Sequence, residues 1–105
     1  MRTYLKSKIW KVFVADACLD YDGSISIPAN LMRSAGIFPY EQVHVLDKNN
    51  GQRFITYAIE SDSNSICVNG AAAKLVTIGD ELIILTYSIG VYSAVSYHPT
   101  IIVGG

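Results

Sequence analysis

Tyr21-Asp22-Gly23-Ser24-Ile25-Ser26-Ile27-Pro28 is the stretch from which the rest of the chain is read. Ile25 and Ile27 alternate with Ser24 and Ser26, the period-two pattern of a strand with one buried face. Gly23 places a turn residue directly before Ser24, so the serine sits at the lip of that strand. Pro28 stops the strand and suits the first turn of a helix, which is predicted from Pro28 to Ala35 and ended by Gly36. Gln42 to Asp47 then alternates again, with Val43 and Val45 on one face. The same plan recurs downstream. Ser65 to Val68 is a predicted strand, Ala71 to Leu75 a short helix, and Glu81 to Ser88 a strand. Ile25 to Val43 is 18 positions and Ile66 to Leu82 is 16. Two strand–helix–strand units of near-equal length suggest a barrel with internal pseudo-twofold symmetry.

The remaining elements fit around these units. Ser7 to Val14 is rich in β-branched and aromatic residues and is predicted as the first strand, with Lys8 and Lys11 as its cations. Asp16 to Gly23 reads as a loop, or as a bridge with a brief strand at Cys18 to Tyr21. Asn49-Asn50-Gly51 is a hairpin signal, and Gln52 to Glu60 is the returning strand. Asp62 to Asn64 and Gly79-Asp80 are turns, and Thr100 to Val103 is the last strand. The expected class is mainly β.

Composition narrows the partners. A chain of 105 residues is one domain with a modest core, so association is a natural way to bury more surface. Half the residues are hydrophobic and only 16% are charged, which favours subunit contacts. A net charge of −1 gives no electrostatic footprint for nucleic acid or anionic lipid. Cys18 and Cys67 show neither metal spacing nor a CxxC pair, and read as buried thiols in a reducing cytosol, with no metal. The four cations between Met1 and Lys11 precede no long apolar run, so no signal peptide is read. Nothing approaches the ~20 apolar residues of a membrane span. A cytoplasmic protein is expected.

Three blocks carry a sharper signal: Tyr21-Asp22-Gly23-Ser24, Asn50-Gly51-Gln52-Arg53-Phe54-Ile55-Thr56-Tyr57-Ala58, and Cys67-Val68-Asn69-Gly70-Ala71-Ala72-Ala73. Gly-Ser alone says nothing. In this order and spacing, from about Thr3 to Tyr87, the chain resembles the pyruvoyl-dependent aspartate 1-decarboxylase family. The resemblance implies a six-stranded double-psi β-barrel with short helices, one domain over residues 1–105. It implies self-cleavage between Gly23 and Ser24 into a β chain (1–23) and an α chain (24–105). It also implies a homotetramer with active sites between neighbouring subunits. The reaction would convert L-aspartate to β-alanine, a pantothenate precursor, and carbon dioxide. Spontaneous cleavage and cleavage assisted by a maturation factor both stay open.

The chemistry explains why a serine must be cut. Decarboxylating an amino acid needs an electron sink, and a ketone supplies one by forming a Schiff base with the substrate amine. No side chain is a ketone, and the resemblance implies that the chain makes a covalent pyruvoyl cofactor. Ser24 Oγ would attack the Gly23 carbonyl, shifting amide to ester; elimination would leave dehydroalanine, and hydrolysis would release ammonia. Glycine before the cut offers backbone freedom and no Cβ in the path of attack. By resemblance, Thr56 binds the oxyanion formed at Gly23 and Asn69 holds the same region through its amide. Arg53 offers a planar fork to a substrate carboxylate, and Lys8 is a second cation. Tyr57 matches the proton donor. Tyr21 lies against the Schiff base, and Gly70, Ala71, Ala72 and Ala73 keep the substrate site small, their amides suiting an anion.

Two positions depart from the family pattern. Trp10 stands where the family commonly has histidine, and Leu46 where it commonly has tryptophan. Both belong to the substrate's side-chain end, so another amino acid remains an alternative substrate. After Ser88 only Tyr97-His98-Pro99 leaves a trace of the pattern. Each residue also has an ordinary reading. Gly23-Ser24 fits a β-turn, Lys8 and Arg53 fit a solvated face, Thr56 and Tyr57 fit any strand, and Asn69 fits a helix N-cap. The three alanines fit close packing, and His44 and His98 match no catalytic position. Ser26 to Leu31 with Ala35-Gly36-Ile37 also resembles the strand–helix segment of swapped-hairpin DNA-binding regulators, against which the net charge of −1 argues. An uncleaved, non-catalytic homologue is the third alternative.

Overall fold

A computed structural model of the chain describes residues 1–19, 22–91 and 97–104. Its strands are β1 (Arg2–Cys18), β2 (Ser24–Pro28), β3 (Gln42–Asp47), β4 (Arg53–Ser61), β5 (Ile66–Asn69), β6 (Glu81–Gly90) and β7 (Thr100–Val103). Helix α1 (Ala29–Ala35) follows β2, and a 3-10 helix (Gly70–Leu75) follows β5. The strand order β1-β5-β2-β4-β3-β6 closes back onto β1, giving a six-stranded double-psi β-barrel, with β7 paired to β1 outside the ring.

The pairing carries the internal symmetry that the repeat predicts. β4 runs parallel to β2 and antiparallel to β3. β1 runs parallel to β5 and antiparallel to β6. Exchanging β1 with β4, β2 with β5 and β3 with β6 therefore reproduces the ring. The antiparallel pairs β2–β5 and β3–β6 are the two seams where the units meet.

β1 is longer than the expected Ser7 to Val14. Its register shifts between Leu5 and Ser7 and again between Ile9 and Val12, and Lys11 has φ 57°. Each irregularity changes which side chains face inward, so strict alternation is lost although pairing continues. Cys18 belongs to β1, while Asp20 and Tyr21 lie outside the described residues. The second helix is a 3-10 turn beginning at Gly70, one residue earlier than expected.

Ile9, Ile25, Ile27, Val43, Val45 and Ile84 are fully buried inside the barrel. Each such side chain contributes roughly 1.5–3 kcal/mol of transfer free energy. Met32 and Ala35 bring α1 onto that core. Gly36 ends the helix at φ 71°, where its N–H reaches the Arg33 carbonyl and the Ile37 N–H reaches Met32. Glycine takes this left-handed backbone without a Cβ penalty.

One buried polar group stands apart. Asp47 is 1% exposed, and its Oδ1 accepts the N–H groups of Asn49 (2.8 Å) and Asn50 (3.3 Å), fixing the hairpin turn. Its Oδ2 is buried without a donor. Burial, then a proton shared with the Asp80 carboxyl, pushes Asp47 above the usual carboxylate range, against the two turn amides. Protonating one of the pair supplies the missing donor. A raised folded pKa contributes stability that is full below the unfolded carboxyl range (~3.9) and is lost as pH rises through the folded value. Asp47→Asn keeps the turn acceptor and gives Asp80 a permanent donor. We expect it to be about 1 kcal/mol more stable than the parent at pH 7, with the gain shrinking toward pH ~4. Thermal melting from pH 4 to 8 checks this, and parallel pH curves for the two proteins would refute it.

Candidate active site

Ser24 opens β2 and is 3% exposed. Its register partner on β5 is Asn69, whose own partner on β1 is Cys18. On the other side of β2, the parallel register of Ile25 with Ala58 brings Tyr57 level with Ser24. Ile25 and Ala58 face inward, so Tyr57, Ser24, Asn69 and Cys18 form one outward row across β4, β2, β5 and β1.

Hydrogen bonds knit the middle of that row. Asn69 is 4% exposed, and its Nδ2 donates to Ser24 Oγ (3.0 Å) and Ser26 Oγ (3.2 Å). Its Oδ1 accepts from Cys67 Sγ at 3.2 Å. Ser24 Oγ donates to the Asp22 carbonyl at 3.5 Å. Burial pushes the Cys67 thiol up, and Asp16 and Cys18 add to the shift. Asn69 occupies the N-cap position of the 3-10 helix but makes no side-chain cap bond, so the N-cap reading is replaced by a bridge to the β2 hydroxyls. Gly70 follows at φ 75°, a turn that favours glycine. Ala71 is exposed and Ala72 and Ala73 are half-buried beside it.

Other candidates fall as follows. Among the described residues a Cβ at Gly23 would meet nothing within 4 Å, and Gly23 has no positive φ. Thr56 is half-buried and shares the face of its cross-strand partner Val43. The Tyr57 ring lies 6.0 Å from that of Tyr40. Tyr21 is outside the described residues. Among the described residues no group of His, Cys, Asp and Glu could hold a metal ion, and no helix is long and apolar enough to cross a membrane.

Lys8 and Arg53 lie elsewhere. Ile55, His44, Leu85 and Lys8 make a second row across β4, β3, β6 and β1. Arg53 flanks that row and its Nη2 donates to Tyr87 Oη (3.1 Å) and meets His44 Nδ1 (3.3 Å). This contact needs an imidazole whose Nδ1 is unprotonated. The His44 and Tyr87 rings pack edge-to-face at 4.9 Å. A cleft of ≈ 340 Å³ opens there, lined by Thr3, Glu41, Gln42, His44, Tyr87 and Ile89. Lys8 Nζ sits 5.5 Å from the Trp10 ring centre and Lys11 Nζ 5.1 Å from it. Leu46 pairs with Arg53 on one side and Ile83 on the other. Trp10 thus lies by Lys8 and Lys11, and Leu46 stands opposite Arg53 in the β3–β4 register.

The first row crosses β2 and β5 and the second crosses β3 and β6, with Lys8 on β1 and Arg53 on β4, the two strands that both rows share. Among the described residues neither cation hydrogen-bonds to Ser24 or Asn69; Arg53 is engaged by His44 and Tyr87 and Lys8 lies by Trp10. Sequence reasoning passed over His44 and Tyr87 as partners of Arg53; the only signal was His44 sharing the face of Leu46 two residues before the hairpin.

A family model described as aspartate decarboxylase matches residues 1–104. The aspartate 1-decarboxylase of Dehalococcoides mccartyi strain CBDB1 is 55% identical over 87 residues, covering 81% of this chain and 70% of that protein. Aspartate 1-decarboxylase 2 of Gloeobacter violaceus is 47% identical over 100 residues, 93% of this chain and 80% of that protein. The aspartate 1-decarboxylase of Thermoanaerobacter pseudethanolicus is 54% identical over 90 residues, with coverages of 84% and 77%.

Proposed function

The chain belongs to the aspartate decarboxylase family, and from that premise we propose that it is a self-processing carboxy-lyase converting L-aspartate to β-alanine and carbon dioxide. The observation that carries this reading is the buried Ser24 directly after glycine, with an amide donor held 3.0 Å from its Oγ. Ser24 Oγ attacks the Gly23 carbonyl carbon, its proton passes to the amide nitrogen, and the C–N bond gives way to an ester with a free amine on residue 24. Loss of the Ser24 Cα proton expels Gly23 as a carboxylate. Water then replaces the nitrogen left at residue 24, which departs as ammonia. Asn69, beside the reacting oxygen, and Thr56, one strand away, are the donors suited to the charge that develops.

The pyruvoyl group so formed supplies the electron sink that loss of a carboxylate needs. Position 24 fits it, being buried in a wall with Ala72 and Ala73 half-buried nearby. Arg53 binds a substrate carboxylate through Nη1 and Nε, which make no hydrogen bond among the described residues, while His44 and Tyr87 steady Nη2. Lys8 adds a second charge. Tyr57 Oη holds the proton delivered to the carbon that has lost carbon dioxide.

Within one barrel Arg53 is held by His44 and Tyr87 and Lys8 lies by Trp10, away from the Ser24–Asn69 hydrogen bonds, so we assign the complete site to the junction of two copies in a homotetramer. Ile55 (58% exposed) and Ile89 (69% exposed), on the cation wall, support burial there by a second copy. Unpaired Cys18 and Cys67 suit a reducing compartment, and we assign the enzyme to the cytoplasm, where β-alanine serves pantothenate synthesis.

Intact mass spectrometry under denaturing conditions, with carbon dioxide release from aspartate and other amino acids, tests the reading. Fragments 1–23 and 24–105, and release from aspartate above all others, are expected. An uncut chain inert toward every amino acid tried would refute it. Fragments that form only with an accessory protein would add a maturation factor. Arg53→Lys keeps the charge but loses the fork, so KM for aspartate should rise roughly 10–100-fold with cleavage unchanged, matching ~1.5–3 kcal/mol for a charge-assisted contact. An unaltered KM would remove Arg53 from the site.

A further inference from the structure

The Asn69 carboxamide has two ends, and its orientation decides what Ser24 meets. The hydroxyls of Ser24 and Ser26 can each donate or accept, so neither selects the amide's direction. The third partner does. Cys67, two residues before Asn69 on the same strand and the same outward face, lies 3.2 Å from Oδ1. A thiol is a weak donor and a poor acceptor, so it favours the carboxamide oxygen over its nitrogen. We propose that Cys67 is a positioning residue for self-processing: its S–H donates to Asn69 Oδ1 and so aims Nδ2 at Ser24 Oγ. This rests on the self-processing reading above.

The alternative orientation would harm the reaction. With the amide reversed, Oδ1 would face Ser24 Oγ and accept its proton. As Oγ attacks Gly23, negative charge develops on the former carbonyl oxygen, which then shares a carbon with Oγ; an N–H aimed at this point stabilises that charge and a carbonyl oxygen repels it. The present orientation leaves the Ser24 proton directed to the Asp22 carbonyl instead, 3.5 Å away. Burial keeps the Cys67 thiol protonated at neutral pH, hence a donor. Cys67 touches Asn69 and not the reacting atoms, so it acts only through the amide.

The test compares Cys67→Ala with Cys67→Ser. Fragment formation is followed by intact mass spectrometry, and thermal melting confirms that each variant folds. Cys67→Ala should cleave at least about tenfold more slowly, a change of ~1.4 kcal/mol. Cys67→Ser, whose hydroxyl also donates, should cleave at close to the parent rate. A second readout needs no cleavage. In the uncleavable Ser24→Ala chain, Asn69 Nδ2 keeps Ser26 Oγ as acceptor, so its side-chain N–H signals remain observable by nitrogen-15 NMR. Adding Cys67→Ala should speed exchange of those protons about tenfold, and adding Cys67→Ser should not. Parent-like cleavage and exchange in Cys67→Ala, or a Ser variant as slow as the Ala variant, overturns the proposal. A parent chain that never cleaves sinks the self-processing reading by itself, and the exchange rates still decide whether Cys67 aims Asn69.

Discussion

Ser24→Ala is expected to leave a single uncut chain with no decarboxylation above background. Alanine has no Oγ, so nothing attacks the Gly23 carbonyl, no ester forms, and position 24 never becomes a ketone. The expected loss is the whole catalytic effect, which for enzymes is at least ~10⁶-fold. The fold should survive. Asn69 Nδ2 retains Ser26 Oγ at 3.2 Å, and Ile25 and Ile27 still fill the barrel, so stability should fall by only about 1 kcal/mol. Intact mass and carbon dioxide release read the two consequences separately. A chain still broken after Gly23, or turnover by the whole chain, would show that Ser24 is not the source of the cofactor.

Tyr57→Phe separates turnover from processing. The variant should cut itself at the normal rate, because the hydroxyl takes no part in the attack on Gly23. Its kcat should then drop by ~10²–10⁴, the range for loss of a positioned general acid. KM should move little, since the proposed site assigns the substrate's charge to Arg53 and Lys8. Ring packing against Tyr40 at 6.0 Å is kept by phenylalanine, so a melting shift is not expected. Fragment analysis and initial rates on aspartate check both halves. A kcat within about threefold of the parent would mean that another group delivers the proton.

These expectations draw on different parts of the molecule. The barrel was legible because Ser24 to Val43 and Ser65 to Ile84 repeat one local plan, and period-two alternation reports directly which face is buried. Gly36 and Asn49-Asn50-Gly51 announced their turns because left-handed backbone strongly favours few residue types. β1 was only half visible, because its irregularities interrupt the alternation by which a strand is recognised. Asp47 read as a strand-end residue; its pairing with Asp80 depends on the Gly79-Asp80 turn arriving at the hairpin from 33 residues away. The candidate site divides in the same way. Ser24, Arg53, Tyr57 and Asn69 could be named as candidates because three short blocks resemble a known family, which lends them their proposed roles.

The sequence by itself determined the class of fold and the family, and with them the Gly23–Ser24 bond that the proposed reaction would cut. Only the tertiary structure decided that Asn69 turns from its helix to Ser24, that Cys67 holds the other end of its amide, and that His44 and Tyr87 hold Arg53. It alone set Ser24 on β2 beside Asn69, and Arg53 on β4 beside His44 and Tyr87. The physical reason is range. Alternation, turn residues and caps are properties of a few neighbouring positions, whereas a side chain's partners depend on which strands lie beside it. In this ring Ser24 and Asn69 are 45 residues apart and Arg53 and Tyr87 are 34 apart, so only closure of the barrel brings them together.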